Sequence, residues 1–162
     1  PCEHSFPTRR SSDLVLEFVK KGLTLGLGTD GYTSDMLESM KVANILQKHH
    51  NCNPSVGWGE VPLMIFENNA KIANRFFEKP LGVIQKGAYA DIIVVGYDPL
   101  TPFNENNANS HILFGINGRC VTTTMINGKV LMKDSEIIGV DSEKIMAKSR
   151  ELSSKLWSKI NS

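Results

Sequence analysis

Apolar positions change their period several times along this chain, and each change marks an element. Val15, Phe18 and Val19 fall at helical spacing, so a short helix is predicted over 15–21. Leu23-Thr-Leu-Gly-Leu-Gly28 is an apolar run closed by glycine, the pattern of a strand buried on both faces. After Thr29-Asp30-Gly31, Asp35 is placed to cap a helix, and Glu38 three residues on completes a capping-box-like pair. Met36, Leu37, Met40, Val42, Ala43 and Leu46 give that helix a broad apolar face as far as Lys48. Turn residues then dominate 51–57. A second helix is predicted over 59–77, with Val61, Met64, Ile65, Ile72 and Phe76 on one side. Phe66, Ala70, Ala73 and Phe77 widen that side, and Pro80 and Gly82 end the helix.

Beyond Gly87 the pattern turns β-like. Ala90-Asp-Ile-Ile-Val-Val95 is rich in β-branched residues, and Tyr97-Asp-Pro-Leu-Thr-Pro102 turns the chain. A polar, asparagine-rich loop is predicted over 104–109, with His111 near the start of a strand or at a sheet edge. Val121-Thr-Thr-Thr-Met-Ile126 reads as a second strand, and Asn127-Gly128 is a strong hairpin signal. The return strand is expected over 129–132, with Ile137-Ile138 as a third. From Asp141 a cap leads into a terminal helix with Ile145, Leu152, Leu156 and Ile160 on one stripe. The order is a strand with helices, a small antiparallel unit, then a helix. A single buried strand cannot make its own parallel sheet, so the first part reads as an open piece of something larger.

Composition narrows the class. The chain has 162 residues, 41% hydrophobic and 22% charged, as ordinary globular domains do. A formal net charge of +1 gives no electrostatic footprint for nucleic acid or an anionic membrane surface. No apolar stretch is long enough to span a bilayer. Cys2, Cys52 and Cys120 are odd in number and lack CxxC spacing, so free thiols in a reducing cytoplasm are expected.

Residues 1–14 stand apart. They have no helix or strand period, and the run 4–14 back-translates into a sequence that resembles a common sequencing-library adapter read in frame. That segment is expected to be an artefact that does not fold, which removes Cys2 and His4 from every functional argument.

Two readings compete at Gly26-Leu-Gly28-Thr-Asp-Gly31. Formally the run fits G-x-G-x-x-G after a strand, as in a nucleotide-cofactor binder, but no acidic residue follows about twenty positions on and no second parallel strand closes the unit. The second reading takes Asp30 itself: a carboxylate just past the end of a buried strand is where α/β-barrel enzymes place catalytic groups. Here the sequence resembles the metal-dependent amidohydrolase superfamily. Leu27-Gly-Thr-Asp-Gly31 looks like the end of its last barrel strand, and Asn68-Asn-Ala70 lies in the segment matching its last barrel helix. The run from Pro80 through Ala90-Asp-Ile-Ile-Val-Val95 is similar to its LG-x-I-x-x-G-x-x-AD pattern, and Val121 to Val130 to its closing hairpin. The resemblance extends over about 15–134. It is closest to the SsnA-type aminohydrolases, neighbours of guanine deaminase and chlorohydrolases, through Gly31-Tyr-Thr-Ser-Asp-Met36 and Phe66-Glu-Asn-Asn-Ala-Lys-Ile72.

The resemblance implies an α/β fold: the C-terminal remnant of a (β/α)8 barrel over 15–80, part of a small accessory β-sandwich over 81–140, and a terminal helix over 141–162. It implies Asp30 as both catalytic residue and metal ligand, no cofactor-binding residues, and a divalent metal in the intact parent, zinc first and iron second. The implied activity is hydrolysis of a non-peptide carbon–nitrogen bond, as by a deaminase of a heterocyclic small molecule, in the cytoplasm, with homo-oligomerisation open. The departure from the family is as clear. Outside the adapter-like run only His49, His50 and His111 are present, with no His-x-His, whereas a catalytic zinc takes three protein ligands. The chain alone is therefore expected to be inactive, and a non-catalytic relative is the other reading. Adjacent His49 and His50 point apart on a helix and suit its C-terminal end rather than a metal. Lys144, Lys148, Lys155 and Lys159 are expected to form a solvated face, and Trp58 and Trp157 to pack beside helices.

Overall fold

A computed structural model describes residues 14–161. The expectations for the adapter-like run, Cys2 and His4 included, lie outside the described residues, apart from Leu14. The helical part comprises α1 (Val15–Lys20), α2 (Met36–His50), α3 (Glu60–Leu63), a π-helical turn (Met64–Asn68) and α4 (Asn69–Ala73). The β unit holds β1 (Ile92–Val95), β2 (Val121–Ile126), β3 (Lys129–Lys133) and β4 (Glu136–Ile137), with α5 (Ala108–Gly115) and a 3-10 turn (Gly118–Cys120) between β1 and β2. Helix α6 (Ser142–Ile160) follows. Among the described residues no helix is long and apolar enough to cross a membrane.

Asp35 caps α2 as its spacing predicts, accepting the N–H groups of Leu37 (2.9 Å) and Glu38 (3.2 Å). The capping box is not closed, however. The Asp35 N–H goes to the Thr33 hydroxyl (3.1 Å), and that hydroxyl in turn donates to the Glu38 carboxylate (2.9 Å). Thr33 thus stands where the Glu38 side chain would have reached back.

The predicted helix over 59–77 is shorter and uneven. It widens at the π-helical turn and stops at Ala73, leaving Phe76 and Phe77 exposed rather than on the buried side. Asn74 ends it by bonding Leu81 through both its amide oxygen and its amide nitrogen.

The core is small. Met40 of α2, Val61 of α3 and Leu113 of α5 are buried together, with Leu27, Ala43, Ile65 and Ile112 packed around them. Helix α5 stands where a loop and then a strand start or sheet edge are expected, and His111 lies inside it. Asparagines hide the helix in the sequence because they hold the preceding loop with side-chain bonds. Asn107 accepts from the Asn104 N–H (2.8 Å) and donates to Pro102 O (2.7 Å). Only then does the chain turn into a helix that buries Leu113, with Ile116 buried at its C-terminal end.

The four strands form one antiparallel sheet in sequence order, β1-β2-β3-β4. Asn127 and Gly128 both take positive φ (48° and 79°), as a two-residue hairpin turn requires. Asp91 and Ala90 pin that turn from outside: the Asn127 N–H donates to Asp91 Oδ1 (2.7 Å) and the Gly128 N–H to Ala90 O (3.0 Å). The third predicted strand is only two residues, Glu136–Ile137.

The expected strand at 23–28 forms no ladder with any described residue. A strand exists only through a neighbour's N–H and C=O groups, and here helix side chains take that place instead. Helix α6 is capped by Asp141, which accepts from the Lys144 N–H (2.9 Å), and every described residue along it is exposed, Trp157 included. Trp157 is therefore not the packing residue its type suggests. The lysine face is solvated as read, with Lys148 and Lys155 both paired to Glu151 at 2.8 and 2.6 Å.

Candidate active site

Asp30 lies two residues past Gly28, at the end of the segment 23–28. Its backbone is left-handed (φ 51°), a conformation that few residues besides glycine, asparagine and aspartate adopt readily. Its Oδ1 accepts the N–H of Gly31 at 2.7 Å, while Oδ2 takes no hydrogen bond from a described residue. The side chain is exposed. A carboxylate oxygen presented this way can accept a proton or ligate a cation.

Two asparagines hold the segment that leads to it. Asn69 makes a paired contact with Leu27, accepting its N–H at Oδ1 (2.9 Å) and donating from Nδ2 to its carbonyl (2.9 Å), as a neighbouring strand would. Asn68, buried, donates to Leu25 O at 2.8 Å. Asn68 ends the wide π-helical turn and Asn69 follows it; such turns often mark functional positions in helices. Gly26 is required for the approach, because a Cβ there would collide with the Asn69 amide oxygen.

On the other side of Asp30, the Asp35 carboxylate spans two parts of the molecule. Oδ1 caps α2, and Oδ2 accepts the Gly118 N–H at 2.6 Å. Burial pushes the Asp35 carboxyl upward. The N–H groups of Gly118, Glu38 and Leu37, with the nearby Lys41 charge, outweigh burial and hold its pKa below the ordinary carboxylate value. An open hollow of about 280 Å³ lies beside the loop, lined by Leu27, Gly28, Thr29, Tyr32 and Thr33 and by the apolar face of α2.

The glycine pattern does not make a phosphate cradle. Gly26 lies under Asn69, and the helix after the loop starts only at Met36. Its N-terminal N–H groups, which would receive a phosphate, are already occupied by the Asp35 carboxylate.

The histidines do not join Asp30. His49 and His50 end α2, as expected from their affinity for a helix C-terminus, and both are exposed. His111 hydrogen-bonds Tyr97 Oη through Nδ1 at 2.7 Å and sits against the Phe103 ring. Trp58 does pack as predicted: it meets Phe114 edge-on and carries the Lys48 ammonium 4.0 Å from a ring centroid. Among the described residues no group of three or more His, Cys, Asp or Glu could hold a metal ion, so these residues alone do not fit a catalytic metal.

Sequence reasoning singled out Asp30 and the Asp35 cap, but not the Asn68–Asn69 contacts or the Asp35–Gly118 tie. The first had a signal: two amides beside Met64, Ile65 and Ile72 on an apolar face demand buried partners. The second had none, since its partners lie 83 residues apart.

Comparison with known proteins agrees with this architecture. The amidohydrolase family profile matches residues 8–131. The 5-methylthioadenosine/S-adenosylhomocysteine deaminase of Thermococcus onnurineus is 38% identical over 72% of this chain and 28% of its own length. The 5'-deoxyadenosine deaminase of Methanosarcina mazei is 31% identical over 91% of this chain and 34% of its own. A solved adenosine deaminase from Xanthomonas campestris with bound zinc superposes with a TM-score of 0.70 at 22% identity, over 86% of this chain and 33% of that one. The chain thus spans about a third of the length of these relatives. On the family match, the shared fold and the motifs around Asp30, the chain belongs to the amidohydrolase family.

Proposed function

We propose that this chain is the C-terminal third of a cytoplasmic, metal-dependent hydrolase of non-peptide carbon–nitrogen bonds, a deaminase of an adenosine-like small molecule. In this reading 15–80 is the end of a (β/α)8 barrel, 81–140 the C-terminal share of an accessory β-sandwich and 141–162 a terminal helix. Asp30 is the residue that carries the chemistry, as a zinc ligand (iron being the second choice) and the group that handles the proton of the attacking water. With ligands from outside the described residues beside Asp30, a divalent metal would supply Lewis acidity toward a bound water.

The observation that carries the proposal is the presentation of Asp30: an exposed carboxylate in a left-handed turn, at the end of a segment clamped by a helix. The relatives that match across this region are deaminases of adenosine-type compounds, which supports the substrate class. The chain's own contribution is to fix that carboxylate. Gly31 holds one oxygen, the asparagines hold the approach, and Asp35 holds the exit.

The remaining ligands must come from residues outside the described set, because none of the described histidines joins Asp30. That same fact favours a second reading, a chain that keeps the fold without a metal site. Metal-dependent turnover by the wild-type full-length protein separates the two, since the second reading expects none, and Asp30→Asn then tests the residue. The proposal expects kcat for adenosine deamination to fall by about 10²–10⁴-fold with the thermal midpoint unchanged. Undiminished turnover would remove Asp30 from the mechanism.

A further inference from the structure

The loop leaving Asp30 is short. Asp35 is five residues on, within about 18 Å of chain at full extension, and the placement of Asp35 therefore limits where Asp30 can stand. Asp35 is fixed by more than a helix cap. Its N–H bonds Thr33 inside the same loop, and its carbonyl accepts both the N–H and the hydroxyl of Ser39 at 3.0 and 3.1 Å. One carboxylate oxygen receives two N–H groups of α2, and the other receives the Gly118 N–H across a separation of 83 residues. Gly118 begins the 3-10 turn that leads into β2, and a Cβ there would stand 2.9 Å from the Asp35 carboxylate, closer than the two can tolerate. The close approach thus depends on glycine at 118 and on an acceptor at 35.

We propose that Asp35 is a positioning residue for Asp30: through its bond to Gly118 it uses the start of β2 to fix the loop that carries the Asp30 carboxylate. This rests on the assignment of Asp30 to the chemistry. A helix cap alone would need only one carboxylate oxygen, and asparagine serves that purpose as well as aspartate. Asparagine cannot serve both ends here. With its oxygen on α2 it turns an NH₂ group toward the Gly118 N–H, donor against donor. Asp35→Asn therefore keeps the cap and removes the tie.

The test has two readouts. In the full-length protein, amide hydrogen exchange at Gly118 is expected to be slow and to accelerate at least about tenfold in Asp35→Asn, while the capped Glu38 amide keeps its protection. In the full-length enzyme, Asp35→Asn is expected to lower kcat about ten- to a hundredfold with KM within about twofold, as misplacement of a catalytic group does. Gly118→Ala is expected to reproduce that loss, and the double variant to be no worse than either single one. Wild-type kcat in Asp35→Asn, or a Gly118 amide that exchanges equally fast in both chains, would overturn the proposal. If Asp30→Asn left turnover intact, the Asp30 assignment would fall while Gly118 exchange still reported the tie, so the two failures are distinguishable.

Discussion

The segment 23–28 and strand β2 are both short runs of strand-forming character, yet they meet different fates. β2 lies between β1 and β3, and its backbone groups are paired on both sides. The segment 23–28 has no described strand beside it, and its Leu25 and Leu27 backbone groups are met by the side-chain amides of Asn68 and Asn69. Hydrogen-bond demand is the same in the two regions, but one satisfies it by repetition along a ladder and the other by two particular residues. A ladder spreads a single loss over many bonds. The clamp concentrates it.

That contrast can be broken most strongly at Asn69. Asn69→Ala removes a donor and an acceptor from Leu27 at once and should cost about 2 kcal/mol, seen as a lower urea midpoint and loss of exchange protection at Leu27. An unchanged midpoint would mean that the amide contact is dispensable. The corresponding weak point of the sheet is its turn. Gly128→Ala places a side chain at φ 79° and should cost about 1–2 kcal/mol by the same measurement, with Leu27 protection unaffected. A loss of Leu27 protection in that variant would show that the two regions are not independent.

At the bond between Asp35, which caps α2, and Gly118, in the turn before β2, a pH dependence is expected. The folded-state pKa of Asp35 is depressed, so its stabilising contribution is complete above the ordinary carboxylate pKa and fades as pH falls through the folded value. Acid titration of the unfolding midpoint should therefore show a loss below about pH 4 that Asp35→Asn reduces. The smallest effect is expected on α6, where Leu152 is 53% exposed. In the full-length protein Leu152→Ser should shift stability by no more than about 0.5 kcal/mol, and a larger shift would reveal packing on that helix.

Much of this architecture was legible in the sequence, and the reasons differ by region. Period and turn chemistry are local, so the Asn127-Gly128 hairpin, the Asp35 cap and the Asp141 cap could be read directly. Helix α5 was missed because its eight residues follow a run of asparagines and bury only Leu113 within the helix. The segment 23–28 departs from its pattern in two ways: it joins no ladder of described strands, and it is not buried on both faces, with Leu23 51% exposed and Leu25 and Leu27 only half-buried. An apolar run is buried as a strand only beside neighbours, which no local pattern can supply. Asp30 is singled out as a candidate by its place after that segment together with the family resemblance. Its supports, Asn69 at 42 positions from Leu27 and Gly118 at 83 from Asp35, depend on the fold itself.

The proposed deaminase function needs Asp30 to complete a metal site whose other ligands lie outside the described residues. The most direct test is one continuous read of the source DNA across the codons for His4 to Val15 and beyond. The expected result is that the adapter-like codons are absent and that the frame continues upstream into barrel strands carrying His-x-His. Adapter-like codons present in the genome, with a start codon immediately ahead of them, would contradict it.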